Sequence, residues 1–145
     1  MGTPLKKLTI KGFKSIESLK DFELGNLSIM IGANGAGKSN FVDFFRMLRA
    51  MAEEGLQSFV TSQSSADGFF FQGPKVTPQI SAKLEFGKNT YEFALKPTAS
   101  DKLMIDYEFV YFIPDKGGRH GEAVSNGVLE SALKAKKDEP SNWWP

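Results

Sequence analysis

The sequence predicts an α/β fold, and three observations carry that prediction. A short, nearly all-apolar run, 27–31, leads into a glycine-rich turn at 32–39. An amphipathic helix follows the turn, and further along the chain alternating apolar positions describe antiparallel strands. Strand, tight turn and helix in that order are the start of a layered α/β unit.

The elements follow in order. Leu5, Leu8 and Ile10 interleave with Lys6, Lys7, Thr9 and Lys11 up to Gly12, which predicts a first strand, with a second short segment from Phe22 to Leu24. Leu27 to Ile31, bounded by Gly25-Asn26 and Gly32, reads as a strand buried on both faces of a mixed or parallel sheet. Phe41, Phe44, Phe45, Leu48, Met51 and Ala52 recur at three- and four-residue spacing, so a helix is expected from Lys38 to Glu54, capped by Gly55. Residues 57–79 are rich in Ser, Thr, Gln and Gly and read mostly as loop. Ile80, Ala82, Leu84 and Phe86, the turn Gly87-Lys88-Asn89, and Tyr91, Phe93 and Leu95 form a hairpin. A third run, Leu103 to Ile113, is expected beside it, completing a small antiparallel sheet over 80–113. Residues 114–145 read as a glycine-rich loop followed by one helix from Val128 to Lys137. Trp143-Trp144-Pro145 end the sequence with two large apolar groups, which is read as truncation of a longer unit.

Composition narrows the class. At 145 residues, 41% hydrophobic and 24% charged, the chain is sized and composed for one globular domain and is neither a disordered tail nor a low-complexity tract. A net charge of +1 gives no global field for nucleic acid or an anionic membrane, so any such contact is local. Without cysteine there is no disulfide, thiolate metal site or Cys nucleophile. No apolar run approaches the roughly 20 residues that span a bilayer, and the first 20 residues lack a signal-like apolar core, so a soluble, cytoplasmic protein with no membrane contact is expected. Met1-Gly2-Thr3-Pro4 read as start-site residues.

Gly32-Ala33-Asn34-Gly35-Ala36-Gly37-Lys38-Ser39 fits the phosphate-loop pattern, glycine, four residues, Gly-Lys and then Ser or Thr. Small residues let successive main-chain N–H groups curl around phosphate oxygens, and the helix start adds unpaired N–H groups and a positive dipole end. Lys38 supplies the full charge, reaching the β and γ phosphates as the catalytic lysine, and the Ser39 hydroxyl is the expected Mg²⁺ ligand. A nucleotide's phosphates with Mg²⁺ are therefore expected in the loop. Gly32, Asn34, Gly35, Ala36, Gly37, Lys38, Ser39 and Asn40 form the expected nucleotide site.

Asn34-Gly35-x-Gly37-Lys38-Ser39-Asn40, preceded by Leu8 to Ser15 (Leu-Thr-Ile-Lys-Gly-Phe-Lys-Ser), resembles the head domains of the SMC and RecF branch of ABC-type ATPases. Bacterial ATPases of the AAA family, including those related to overcoming-lysogenization nucleases, begin in a similar way. The specific motifs lie in the first 50 residues. The resemblance implies the N-terminal lobe of a P-loop NTPase head, with a mixed sheet, a P-loop helix and a small antiparallel subdomain. It also implies that the nucleotide is ATP and that Lys14 contacts it; taken alone, a solvated surface lysine accounts for Lys14 equally well. For the full-length protein it implies ATP hydrolysis, head-to-head homodimers and work on DNA, in repair, maintenance or phage defence.

Several parts that this family needs are not found. Phe109 to Asp115 imitates an acidic metal-holding strand, but Pro114 interrupts it and Lys116 stands where a catalytic glutamate would. No signature segment occurs, and His120, the only histidine, lies in a glycine-rich stretch. Gln72 is the rival for the metal-shell glutamine, though a loop residue explains it better. The expectation is that these 145 residues alone bind ATP weakly and turn it over negligibly. The alternative to an ATPase is a nucleotide-sensing module that regulates a fused or partner nuclease. A GTPase or nucleotide kinase fits less well, because no Asn-Lys-x-Asp segment is present. The five lysines among the first 20 residues offer a local phosphate-facing cluster, but a lysine-protected strand edge explains them better.

Overall fold

The computed structural model describes residues 2–33, 35 and 37–137. Six strands, β1 (Lys7–Phe13), β2 (Ile16–Glu23), β3 (Ile80–Phe86), β4 (Asn89–Pro97), β5 (Leu103–Phe112) and β6 (His120–Val128), form one sheet in the order β2-β1-β3-β4-β5-β6. Every neighbouring pair is antiparallel. Helices α1 (Lys38–Ala52) and α2 (Leu56–Ser62) and a 3-10 turn, Asp67–Phe69, lie between β2 and β3; α3 (Leu133–Lys137) follows β6.

Alternation decides which face of the sheet is covered. Leu8 and Ile10 of β1, Ile80, Ala82 and Leu84 of β3, Phe93 and Leu95 of β4, and Leu103 and Ile105 of β5 are buried in one core. Phe44, Met47 and Met51 of α1 and Leu56 and Val60 of α2 close that core from the helical side. Burying each such side chain contributes about 1.5–3 kcal/mol before entropy is charged against it. Phe44 is the hinge of this packing, meeting the Phe13 ring edge-on at 5.5 Å and stacking on Phe93 at 6.4 Å. The middle of α1 is thereby fixed against the end of β1.

The structure corrects several expectations. Leu27 to Ile31 is not a buried strand: no named strand pairs with it, and Leu27, Ile29 and Ile31 are strongly exposed. A run of this kind is buried only when strands flank it on both sides, and β1 already lies between β2 and β3. For the same reason the sheet is antiparallel throughout the described residues rather than mixed. The second segment is longer than Phe22 to Leu24, because β2 pairs along β1 from Phe13↔Ile16 to Lys7↔Glu23. Residues 57–79 contain all but the first residue of α2 and the whole 3-10 turn, and the stretch expected as loop after Pro114 contains β6, so the last helix starts at Leu133 rather than Val128. The α1 terminus also differs: Glu54, not Gly55, takes the left-handed φ of 59°, while the Gly55 N–H bonds the Ala50 carbonyl at 2.7 Å. Trp143-Trp144-Pro145 lie outside the described residues.

Candidate phosphate-binding site

The glycine-rich turn enters α1 through two left-handed glycines, Gly35 at φ 87° and Gly37 at φ 94°. A side chain at either position would strain the backbone. Gly37 is also crowded, since a Cβ there would lie 3.0 Å from the Ser15 hydroxyl. Gly37 is the N-cap of α1 and makes no side-chain capping bond, and no acidic residue sits in the first turn. The first N–H groups of the helix are thus left without a capping side chain, at the end where the dipole favours an anion.

Gly35, Gly37, Lys38, Ser39 and Asn40 line a hollow of about 350 Å³. The Lys38 ammonium donates to the Gly32 carbonyl, so the lysine folds back over the loop that precedes it. Asn34 and Ala36 lie outside the described residues. A second cleft of about 410 Å³ shares Gly37 and Lys38 with the hollow and is walled by Ser15, Ile16, Leu19, Phe22, Met30, Ile31 and Phe41. One polar pocket and one largely apolar cleft therefore meet at Lys38.

The two-residue turn between β1 and β2 lies against this loop. Asn40 donates its amide N–H to the Ser15 hydroxyl at 2.7 Å. Lys14 is placed against α1, where its ammonium pairs with Asp43 at 2.8 Å and lies over the Phe69 and Phe13 rings. Both partners are largely buried, with side-chain exposures of 17% and 14%. Partial burial raises the Asp43 carboxyl, but the hydrogen bond and charge of Lys14, followed by those of Arg46 at 3.0 Å, outweigh it and hold it below the usual carboxylate range. Lys14 carries a left-handed φ of 49°, and its N–H bonds the Phe69 carbonyl at 2.8 Å.

The structure brings Gly35, Gly37, Lys38, Ser39 and Asn40 together, with Ser15 adjoining them. Asp43 was legible only as a polar spacer between apolar helix positions, because its partner is 29 residues away. The acidic-strand imitation gains no support as a metal holder: β5 is an interior strand, antiparallel to β4 and β6, and Asp115 pairs with Lys88 at 2.5 Å. Gln72 has a left-handed φ of 54° in the turn after Phe71, and His120 opens β6. No group of three His, Asp or Glu residues among the described residues is arranged to hold a metal ion. No helix among them is long and apolar enough to cross a membrane.

The AAA domain family matches residues 7–138. The chromosome partition protein Smc of Desulfitobacterium hafniense (strain Y51) is 51% identical over 116 residues, covering 75% of this chain and 9% of that relative. The chain thus spans about a tenth of the length of the Smc protein it matches, and the resemblance to the SMC branch is borne out. With residues 7–138 matched, the chain belongs to the AAA domain family.

Proposed function

We propose that the loop at 32–39 binds the triphosphate of ATP, together with Mg²⁺, as the nucleotide site of an SMC-like ATPase. One observation carries this reading: two left-handed glycines and an uncapped helix start enclose a hollow into which Lys38 and Ser39 open. The residues fit the ligand. A phosphate tail needs small residues, N–H groups and one cation, and the glycines, the uncapped helix start and Lys38 at the hollow support that fit. Lys38 would exchange its Gly32 carbonyl for phosphate oxygens, which are stronger, charged acceptors. Ser39 is the hydroxyl that would hold Mg²⁺, which would supply neutralisation of phosphate charge there. Asn34 and Ala36 complete the proposed loop, and Lys14 is the proposed neighbouring cation.

Membership of the AAA domain family and likeness to an Smc protein support ATP hydrolysis in the whole protein. Pairing of two heads and chromosome-related work on DNA, including repair or phage defence, are proposed on the same likeness.

Titration with Mg·ATP, beside Lys38→Ala, tests the site. We expect saturable binding that Lys38→Ala weakens at least about tenfold, since it removes a charge-assisted contact of about 1.5–3 kcal/mol. Equal affinity in both proteins would remove the proposal. GTP should compete less well than ATP, and the reverse order would overturn the choice of nucleotide.

A further inference from the structure

Beside the same loop, Lys14 is held by more contacts than a surface lysine needs. We infer that Asp43 is a positioning residue for nucleotide binding, acting through Lys14 to lock the β1–β2 turn against the phosphate-loop helix. The inference rests on the phosphate-loop reading and names a residue that reading does not use.

Four observations converge on it. Lys14 is a non-glycine residue in the left-handed region, a conformation that persists only when its surroundings fix it. Its main chain is fixed by the Phe69 carbonyl and its ammonium by Asp43. The ion pair is largely withdrawn from water and lies over the Phe69 ring at 5.1 Å, so solvent screens it little. Ser15, the next residue, accepts from Asn40, and it stands where a Cβ on Gly37 would reach within 3.0 Å. Asp43 therefore sits one turn beyond Asn40 on α1, and the two contacts together pin both residues of the turn.

The consequence concerns geometry rather than chemistry. Ser15 walls the cleft that also contains Gly37 and Lys38. Releasing Lys14 frees the turn to move away from Gly37, and the loop loses one of the walls that preorganise it for phosphate. Asp43 touches no part of the expected ligand; it acts by holding the lysine. Arg46, which also bonds Asp43, is solvent-exposed and leaves Lys14 as the buried partner.

A double-mutant cycle on the 145-residue chain, read by Mg·ATP titration, tests this. Asp43→Asn keeps the shape and removes the charge, and is expected to weaken binding about tenfold. Lys14→Met, which also removes the proposed neighbouring cation, should weaken it at least as much, and the double variant should lie within about twofold of Lys14→Met, because Asp43 acts only through that lysine. Asp43→Glu should recover most of the affinity even if it melts no higher than Asp43→Asn. Glu130→Ala, which weakens a distant helix cap, serves as the control for general destabilisation. Wild-type affinity in Asp43→Asn alongside lost binding in Lys38→Ala would overturn the inference and leave the phosphate loop intact. Multiplying losses in the cycle, or an equal loss in Glu130→Ala at matched melting temperature, would overturn it too. Retained binding in Lys38→Ala would remove both the inference and the reading beneath it.

Discussion

The phenol of Tyr91 donates to Oε1 of Glu108 at 2.5 Å, joining β4 to β5 inside the core. The Ser131 hydroxyl donates to the same oxygen at 2.7 Å, while Oε2 of this fully buried carboxylate has no hydrogen-bond partner. Burial, then the Glu108 charge and its hydrogen bond, push the Tyr91 phenol well above its ordinary 10.0. Below that pH the phenol is protonated whether the chain is folded or not, and the stabilisation is complete. Above it the unfolded phenol ionises while the folded one does not, so stability falls as pH rises. Tyr107 and Tyr111, raised by burial first and by Glu92 next, act in the same direction. Tyr91→Phe should therefore flatten the alkaline limb by up to about 1.4 kcal/mol per pH unit, measured by urea unfolding above pH 10. An unchanged slope would contradict the assignment.

Glu108→Ala should destabilise the fold by about 2–4 kcal/mol, since it strands two buried hydroxyls and opens a cavity. Glu108→Gln retains an acceptor and removes the formal charge, so its loss should be the smaller. The urea midpoints of the two variants check the order.

Gly12 has a φ of +75°, and a Cβ there would lie 2.5 Å from the Thr77 methyl and 2.9 Å from the Gln79 carbonyl oxygen. The backbone oxygen cannot be moved cheaply, so Gly12→Ala should cost about 3 kcal/mol or more. Gly68→Ala meets no atom within 4 Å and should stay within about 1 kcal/mol of wild type. Comparing the two melting temperatures decides it.

Glu130 caps α2 from 73 residues away, its carboxylate accepting from the N–H groups of Leu56 at 2.9 Å and Gln57 at 3.1 Å. Glu130→Ala should lose about 1–2 kcal/mol. Hydrogen exchange at those two amides should speed up before exchange in β3 and β4 does.

Asp43 sets the acid limit of the site. Its carboxyl lies below the ordinary 3.8 in the folded chain, so its contribution is complete above that value and is lost as pH falls through the lower folded one. The stability gap between wild type and Asp43→Asn should therefore close below pH 3.8, and a gap that widened there would contradict the pairing with Lys14.

The parts of the fold that were readable carried their cause within a few residues. Gly32 to Ser39 is a local backbone requirement, the α1 stripe repeats within one helix, and Ile80 to Leu95 alternates across a short turn. β6 was not readable, because His120–Val128 contains two glycines and four polar residues with no clean alternation, and it is a strand by pairing with β5 rather than by propensity. Leu27 to Ile31 misled in the opposite sense, being apolar enough for a central strand while no named strand pairs with it. In the candidate site the motif was legible and its support was not, since Lys14–Asp43 and Ser15–Asn40 are long-range pairs.

The bare stretch before the phosphate loop governs how this chain behaves in a test tube. Leu27, Ile29 and Ile31 expose 81%, 76% and 91% of their surface in a segment with no charge and no proline, the composition of a sticky β-forming seed. Light scattering should grow with protein concentration, and Ile29→Lys, acting as a gatekeeper, should suppress it while leaving the melting temperature unchanged.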